Sequence, residues 1–118
     1  MRDHTKLRAF ELADHLAVKI YMITKKFPKE EIFGLTSQIR RAVVSVPSNI
    51  VEGCARESQM EYRRFVEIAY SSLKEVDYQF SLAVKLAYLQ NTDPQVIECL
   101  NKLEESKKVL GSLLRSIR

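Results

Sequence analysis

Apolar side chains recur along this chain at steps of three and four, the spacing that lines one face of an α-helix. Leu7, Phe10, Ala13, Leu16, Ala17, Ile20 and Tyr21 predict a first helix over about 6–26. Phe27-Pro28 stops it, because the residue before a proline is disfavoured in the helical region. Leu35, Ile39, Ala42, Val43, Val46 and Ile50 predict a second helix over about 35–52. Gly34, Thr36 and Ser37 stand at its start, and Gly53 is expected to close it through a positive φ. Its opposite face gathers Gln38, Arg41, Ser45, Ser48, Asn49 and Glu52, and Pro47 inside it predicts a kink and a carbonyl without its donor.

Ser58 with Glu61 three positions on forms a capping box for a third helix, over about 58–90. Tyr62, Phe65, Ala69, Leu73, Val76, Phe80, Ala83 and Ala87 are its predicted seam. Thr92-Asp93-Pro94-Gln95 starts a fourth helix, over about 94–116, with Val96, Leu100, Leu103, Lys107, Leu110, Leu114 and Ile117 in register and Gly111 as a weak point. Four helices with short links and no strand signal predict an all-α, antiparallel up-down-up-down four-helix bundle filling residues 1–118 as one domain.

Some large apolar residues fall off these seams. Tyr78, Leu82 and Leu89 lie opposite the core side of the third helix, and Val44, Pro47 and Val51 lie beside that of the second. Stripes of this kind predict contact with another surface, here other copies of the chain. Val44, Val51, Tyr78, Leu82 and Leu89 are therefore the expected oligomer interface.

Charge sharpens the picture through its placement. The net charge is a mild +4. In the predicted bundle the start of the first helix, the link between the second and third and the end of the fourth meet at one end. That end collects Arg2, Lys6, Arg8, Arg56, Arg63, Arg64, Arg115 and Arg118, diluted by Asp3, Glu57 and Glu61. The other end mixes Lys25, Lys26 and Lys29 with Glu30, Glu31 and Asp93. The eight cations are the candidate nucleic-acid contacts, directed at the phosphate backbone because no aromatic platform or recognition helix suggests base reading. No apolar run of about 18 residues and no signal-peptide core is present, so a cytoplasmic protein without a membrane span is expected.

A longer pattern runs through these residues. It comprises Phe27-Pro28, Glu31, Phe33, the run GLTSQIRRA from Gly34 to Ala42, Ser45, Pro47 to Ile50, Glu52-Gly53 and Arg56, then Phe65, Ala69, Ser72, Leu73 and Glu75. It resembles the small bacterial four-helix-bundle family named after intervening sequences in 23S ribosomal RNA genes (S23-like). That family is related to the accessory variability determinant proteins of diversity-generating retroelements. Val51 departs from the pattern, where a small residue is expected, which bears on packing. The resemblance implies a homopentameric ring. It also implies nucleic-acid contact, since the retroelement relatives act with a reverse transcriptase. Arg41, Ser45, Pro47, Asn49, Glu52 and Gly53 are read as motif residues with structural roles: capping, satisfying backbone groups near Pro47, and tying together subunits or the corner after the second helix.

Catalytic chemistry is sparse. The two histidines, His4 and His15, supply no Glu-x-x-His pair of a di-metal bundle, and no phosphate-cradling glycine loop occurs. Cys54 and Cys99 match no metal or redox spacing. No cofactor, metal or small-molecule substrate is expected. Arg8 and His15 form R-x6-H, superficially like the motif of HEPN-type ribonucleases, but they stand about 10 Å apart along one helix and nothing around them supports that chemistry. A non-catalytic oligomeric scaffold that binds structured RNA or DNA is the leading reading. A protein-protein adaptor and the HEPN-like ribonuclease are its alternatives.

Overall fold

Four helices, α1 (Arg8–Ile23), α2 (Leu35–Cys54), α3 (Gln59–Lys85) and α4 (Pro94–Ser116), carry the chain in a computed structural model that describes residues 2–118. There is no strand among the described residues. α2 packs most extensively on α3, and α1 lies against both α2 and α4, while α3 also meets α4. The result measures 43 × 26 × 19 Å. The apolar seams make its interior: Leu12, Leu16, Ile20 and Ile23 from α1, Ile39, Val43, Val46 and Ile50 from α2, Val66, Leu73 and Val76 from α3, and Leu103 and Leu110 from α4 are sealed from solvent.

The ends of the elements depart from expectation for local reasons. The first helix is not continuous over 6–26. A 3-10 turn at His4–Lys6 precedes it, capped by the Asp3 carboxylate, and Leu7 is extended between the two. At its far end the Thr24 hydroxyl donates to the carbonyl of Ile20 at 2.7 Å, and the chain tightens into a 3-10 turn at Thr24–Lys26.

No side chain at Gly34 caps α2. Glu31 does so instead: one carboxylate oxygen accepts the Leu35 N–H at 2.9 Å and the other accepts the Tyr88 hydroxyl at 2.7 Å. Gly53 does not close α2 through a positive φ, and no described glycine has one. It lies within the helix, where a Cβ would come 3.0 Å from that of Phe65 and 3.3 Å from both the ring and the carbonyl of Tyr62. The glycine is there for a close approach of α2 and α3. Pro47 lies inside α2 without ending it.

α3 stops at Lys85, short of the expected Gln90. Ala87 takes φ 63, a left-handed conformation that costs a non-glycine residue about 1–2 kcal/mol. The turn lets the N–H groups of Tyr88 and Leu89 donate to the Ala83 carbonyl. It also folds Leu89 back into the core, 2% exposed, so Leu89 is core rather than interface. Ala87 itself is exposed, not part of the seam. Two further seam positions shift by one residue: Val66 and Cys99 are buried in place of the expected Phe65 and Leu100.

In Gly53→Ala, crowding against Phe65 and Tyr62 (about 1–3 kcal/mol) outweighs the helix-propensity gain of about 1 kcal/mol. Urea unfolding is expected to show a net loss of stability; a net gain would mean the seam yields freely. Two carboxyls at the other end contribute to the acid behaviour of the fold. The Leu35 N–H and then the Tyr88 hydroxyl hold the Glu31 carboxyl below the usual carboxylate range, and the Lys26 ammonium with the Gln95 N–H does the same for Asp93. Both pKa values are lower folded than unfolded, so this stabilisation is present above the ordinary carboxylate pKa and is lost as pH falls through the folded values. The unfolding temperature should drop over that acid window, and less so in Glu31→Gln. Parallel pH profiles for the two proteins would overturn the role given to Glu31.

Candidate nucleic-acid interface

The start of α1, the α2–α3 link and the end of α4 are tied by arginines. Arg2 donates from one nitrogen to the Arg56 carbonyl at 2.7 Å and from another to Gln59 at 2.8 Å, and its guanidinium lies 4.1 Å from the centre of the Tyr62 ring. Arg63, near the start of α3, donates to the carbonyls of Leu114 and Ile117, both at 2.7 Å. The Leu114 carbonyl already accepts the Ile117 N–H at 3.3 Å. The arginine adds a second donor there, satisfies the Ile117 carbonyl and sets a cation against the negative end of the α4 dipole.

The eight predicted cations thus divide. Arg2 and Arg63 hold the fold together. Arg8 is gripped by Glu11 at 2.6 Å and Glu105 at 2.5 Å. Arg56 pairs with Glu52 at 3.2 Å and lies over the Phe65 ring at 4.7 Å, leaving its buried Nε without a partner. Lys6, Arg64, Arg115 and Arg118 are exposed and make no ion pair or side-chain hydrogen bond among the described residues. An open hollow of about 580 Å³ lined by Arg2, Ala55, Arg56 and Glu57 lies at this end.

The motif residues of α2 are knit into its neighbours. The hydroxyls of Ser45 and Ser72 meet at 2.9 Å across the α2–α3 seam. The Asn49 amide donates to the Ser45 carbonyl at 2.7 Å and hydroxyl at 2.9 Å, so it serves that turn rather than the Val43 carbonyl that Pro47 leaves without a donor. Glu52 holds Arg56, and Gly53 sets the seam. Arg41 is exposed and unengaged, whereas its neighbour Arg40 ties α2 to the end of α1 through the Thr24 hydroxyl and the Tyr21 carbonyl and ring.

Of the predicted interface residues, Val44 (40%), Val51 (37%) and Tyr78 (63%) are exposed, and Leu82 is half-buried against the core. Val18, Met22, Ile32, Phe33 and Ile97 are also exposed, beyond the stripes that spacing picks out. Phe33 stands in the motif, and its place in a connector rather than on a seam is the one signal that could have found it.

Chemistry on the described residues is quiet. No group of three His, Cys, Asp or Glu side chains is placed to hold a metal. Cys54 and Cys99 are unpaired and buried; burial raises both thiols, that of Cys99 to about 12, so neither is a thiolate at neutral pH. No helix among the described residues is long and apolar enough to cross a membrane.

Residues 5–112 match the family described as 23S rRNA-intervening sequence protein. The chain belongs to that family. A solved structure of similar fold is a protein of unknown function from the S23 ribosomal protein family of Bacteroides thetaiotaomicron. It shares 22% identity over 92% of this chain and 96% of that one, with a TM-score of 0.80. A comparison with curated proteins gives no match. In this intervening-sequence family member, Ser45 and Gly53 lie on the α2–α3 seam, Arg40 ties α2 to the end of α1, and Arg56 stands at the corner after α2.

Removing the α4 cap tests the structural share of the basic end. Arg63→Ala is expected to cost about 1–2 kcal/mol, the range for hydrogen bonds from a charged group with some solvent access. Amide exchange should accelerate in the last turn of α4 and not in α1; unchanged protection at Leu114 and Ile117 would overturn the capping role.

Proposed function

We propose that this intervening-sequence family member is a non-catalytic, cytoplasmic scaffold that assembles through its apolar faces and holds structured RNA or DNA on its basic end. The observation that carries the reading is the set of four cations, Lys6, Arg64, Arg115 and Arg118, left unengaged where three helix ends converge. Guanidinium groups suit phosphate because their fork matches its oxygens. The helices alternate as an up-down-up-down bundle: Arg63 at the start of α3 caps the end of α4, and Lys26 after α1 pairs with Asp93 before α4 at 2.8 Å. The assembly in this reading is a closed homopentamer, the arrangement the resemblance to the retroelement accessory proteins would imply, and each added copy repeats the four cations. Repetition turns a weak site into a strong one by raising the effective concentration of contacts.

A second reading, a protein-protein adaptor, draws on an apolar groove of about 340 Å³ between the end of α3 and the start of α4. Salt separates the two. Each neutralised duplex phosphate contributes a slope of about −0.9 to log affinity against log salt. Four contacts per copy then cost at least about a hundredfold in affinity over a fourfold rise in salt. Retention of structured RNA or duplex DNA on a gel is expected to show this loss, and Arg64→Glu with Arg115→Glu and Arg118→Glu to abolish binding while Lys25→Glu leaves it. Affinity indifferent to salt and to those substitutions would leave the adaptor.

A further inference from the structure

Phe33 is 94% exposed, the most exposed large apolar side chain among the described residues, and Ile32 beside it is 58% exposed. Both belong to the connector between α1 and α2. On another side of the molecule lies the apolar groove, walled by Phe80, Val84, Val96, Ile97 and Leu100. α1 and α2 share one seam and α3 and α4 another, and the helices neighbour one another in the cyclic order α1, α2, α3, α4. The two seams therefore lie on opposite sides. They reach the same end of the bundle, because Glu31 of the connector accepts the Tyr88 hydroxyl and Phe27 packs on the Tyr88 ring at 5.4 Å. Asn91, from the link that holds Tyr88, lines the groove. One chain thus carries an apolar projection and an apolar hollow toward the same end of the bundle, on different seams.

We infer that Phe33 of one copy seats in the α3–α4 groove of the next, a contact that rests on the assembly proposed above. The charges agree. Lys29 and Glu30 stand in the connector beside the projection, and Asp77 and Lys85 line the groove. Asp77 is already held by Lys107 at 3.0 Å, whereas Glu30 and Lys85 make no ion pair within the subunit among the described residues, so they are the pair free to meet. An aromatic ring laid on the apolar wall of the groove releases the water against both surfaces, which favours closure. Projection and hollow are different surfaces, so each copy uses both once and the contact is head-to-tail. In a ring closed through this contact, cyclic symmetry keeps every copy level and collects the basic ends on a single side.

Two variants and their mixture test this. Phe33→Asp removes the projection and keeps the groove; Ile97→Asp with Leu100→Asp spoils the groove and keeps the projection. Both change exposed positions, and circular dichroism should show the parent's helicity; Phe33→Ser and Leu100→Ser repeat the test without added charge. By light scattering each aspartate variant alone is expected to be monomeric, and the equimolar mixture to form a two-chain species that grows no further. An oligomeric parent whose mass survives Phe33→Asp and Phe33→Ser overturns the contact, leaves the scaffold reading standing and frees the groove for a different protein's helix. Two monomeric variants that fail to pair on mixing also overturn it. A monomeric parent overturns the assembly reading itself.

Discussion

The contact between α2 and α3 at Gly53 sets the position of everything at the basic end. A backbone without a side chain there lets Tyr62 and Phe65 come against α2, and the two helices then run together past the paired hydroxyls of Ser45 and Ser72. The short link after Cys54 must turn within this narrow gap. That turn brings the Arg56 carbonyl under the Arg2 guanidinium and the Arg56 side chain over Phe65. A larger residue at position 53 would act first on packing and then, through the link, on the charges.

Charge at this end is divided between holding the fold and facing outward, and geometry decides which. An arginine beside the carbonyls of a helix end, as Arg63 is, serves the fold by adding donors there and by opposing the helix dipole. Exposed pairs such as Arg8 with Glu11 contribute little stability, on the order of 0.2–1 kcal/mol. Arg8 is held by Glu105 as well as Glu11, both pairs exposed, so a phosphate could take the place of either carboxylate at small cost to the fold. Arg63 is different, because phosphate contact there would uncap α4.

The helices were legible because period and burial agree: every seam residue of α2 predicted from spacing is buried. The ends were less so, since they depend on contacts between residues far apart in the chain. Nothing local marks Glu31 as the cap of α2, because half its role comes from Tyr88, 57 positions away. Ala87 reads as an ordinary helix former, and only the burial gained by Leu89 explains its left-handed turn. The basic end was legible as a composition of one pole and illegible as a pattern of free and engaged cations. Which arginines are free depends on partners such as Glu105 and the carbonyl of Leu114, 97 and 51 positions distant.

The turn at Ala87 also links the subunit's own core to the groove proposed for assembly. Its cost of about 1–2 kcal/mol is offset by the burial of Leu89, since a fully buried leucine contributes about 1.5–3 kcal/mol. The same turn sends Tyr88 to Glu31 and leaves the α3–α4 groove open behind it. A helix continuing to Gln90 would carry Leu89 away from the core, leave the α2 N-terminus less well capped and alter the groove. The strained residue thus lies where the interior, the start of α2 and the α3–α4 groove are all decided together.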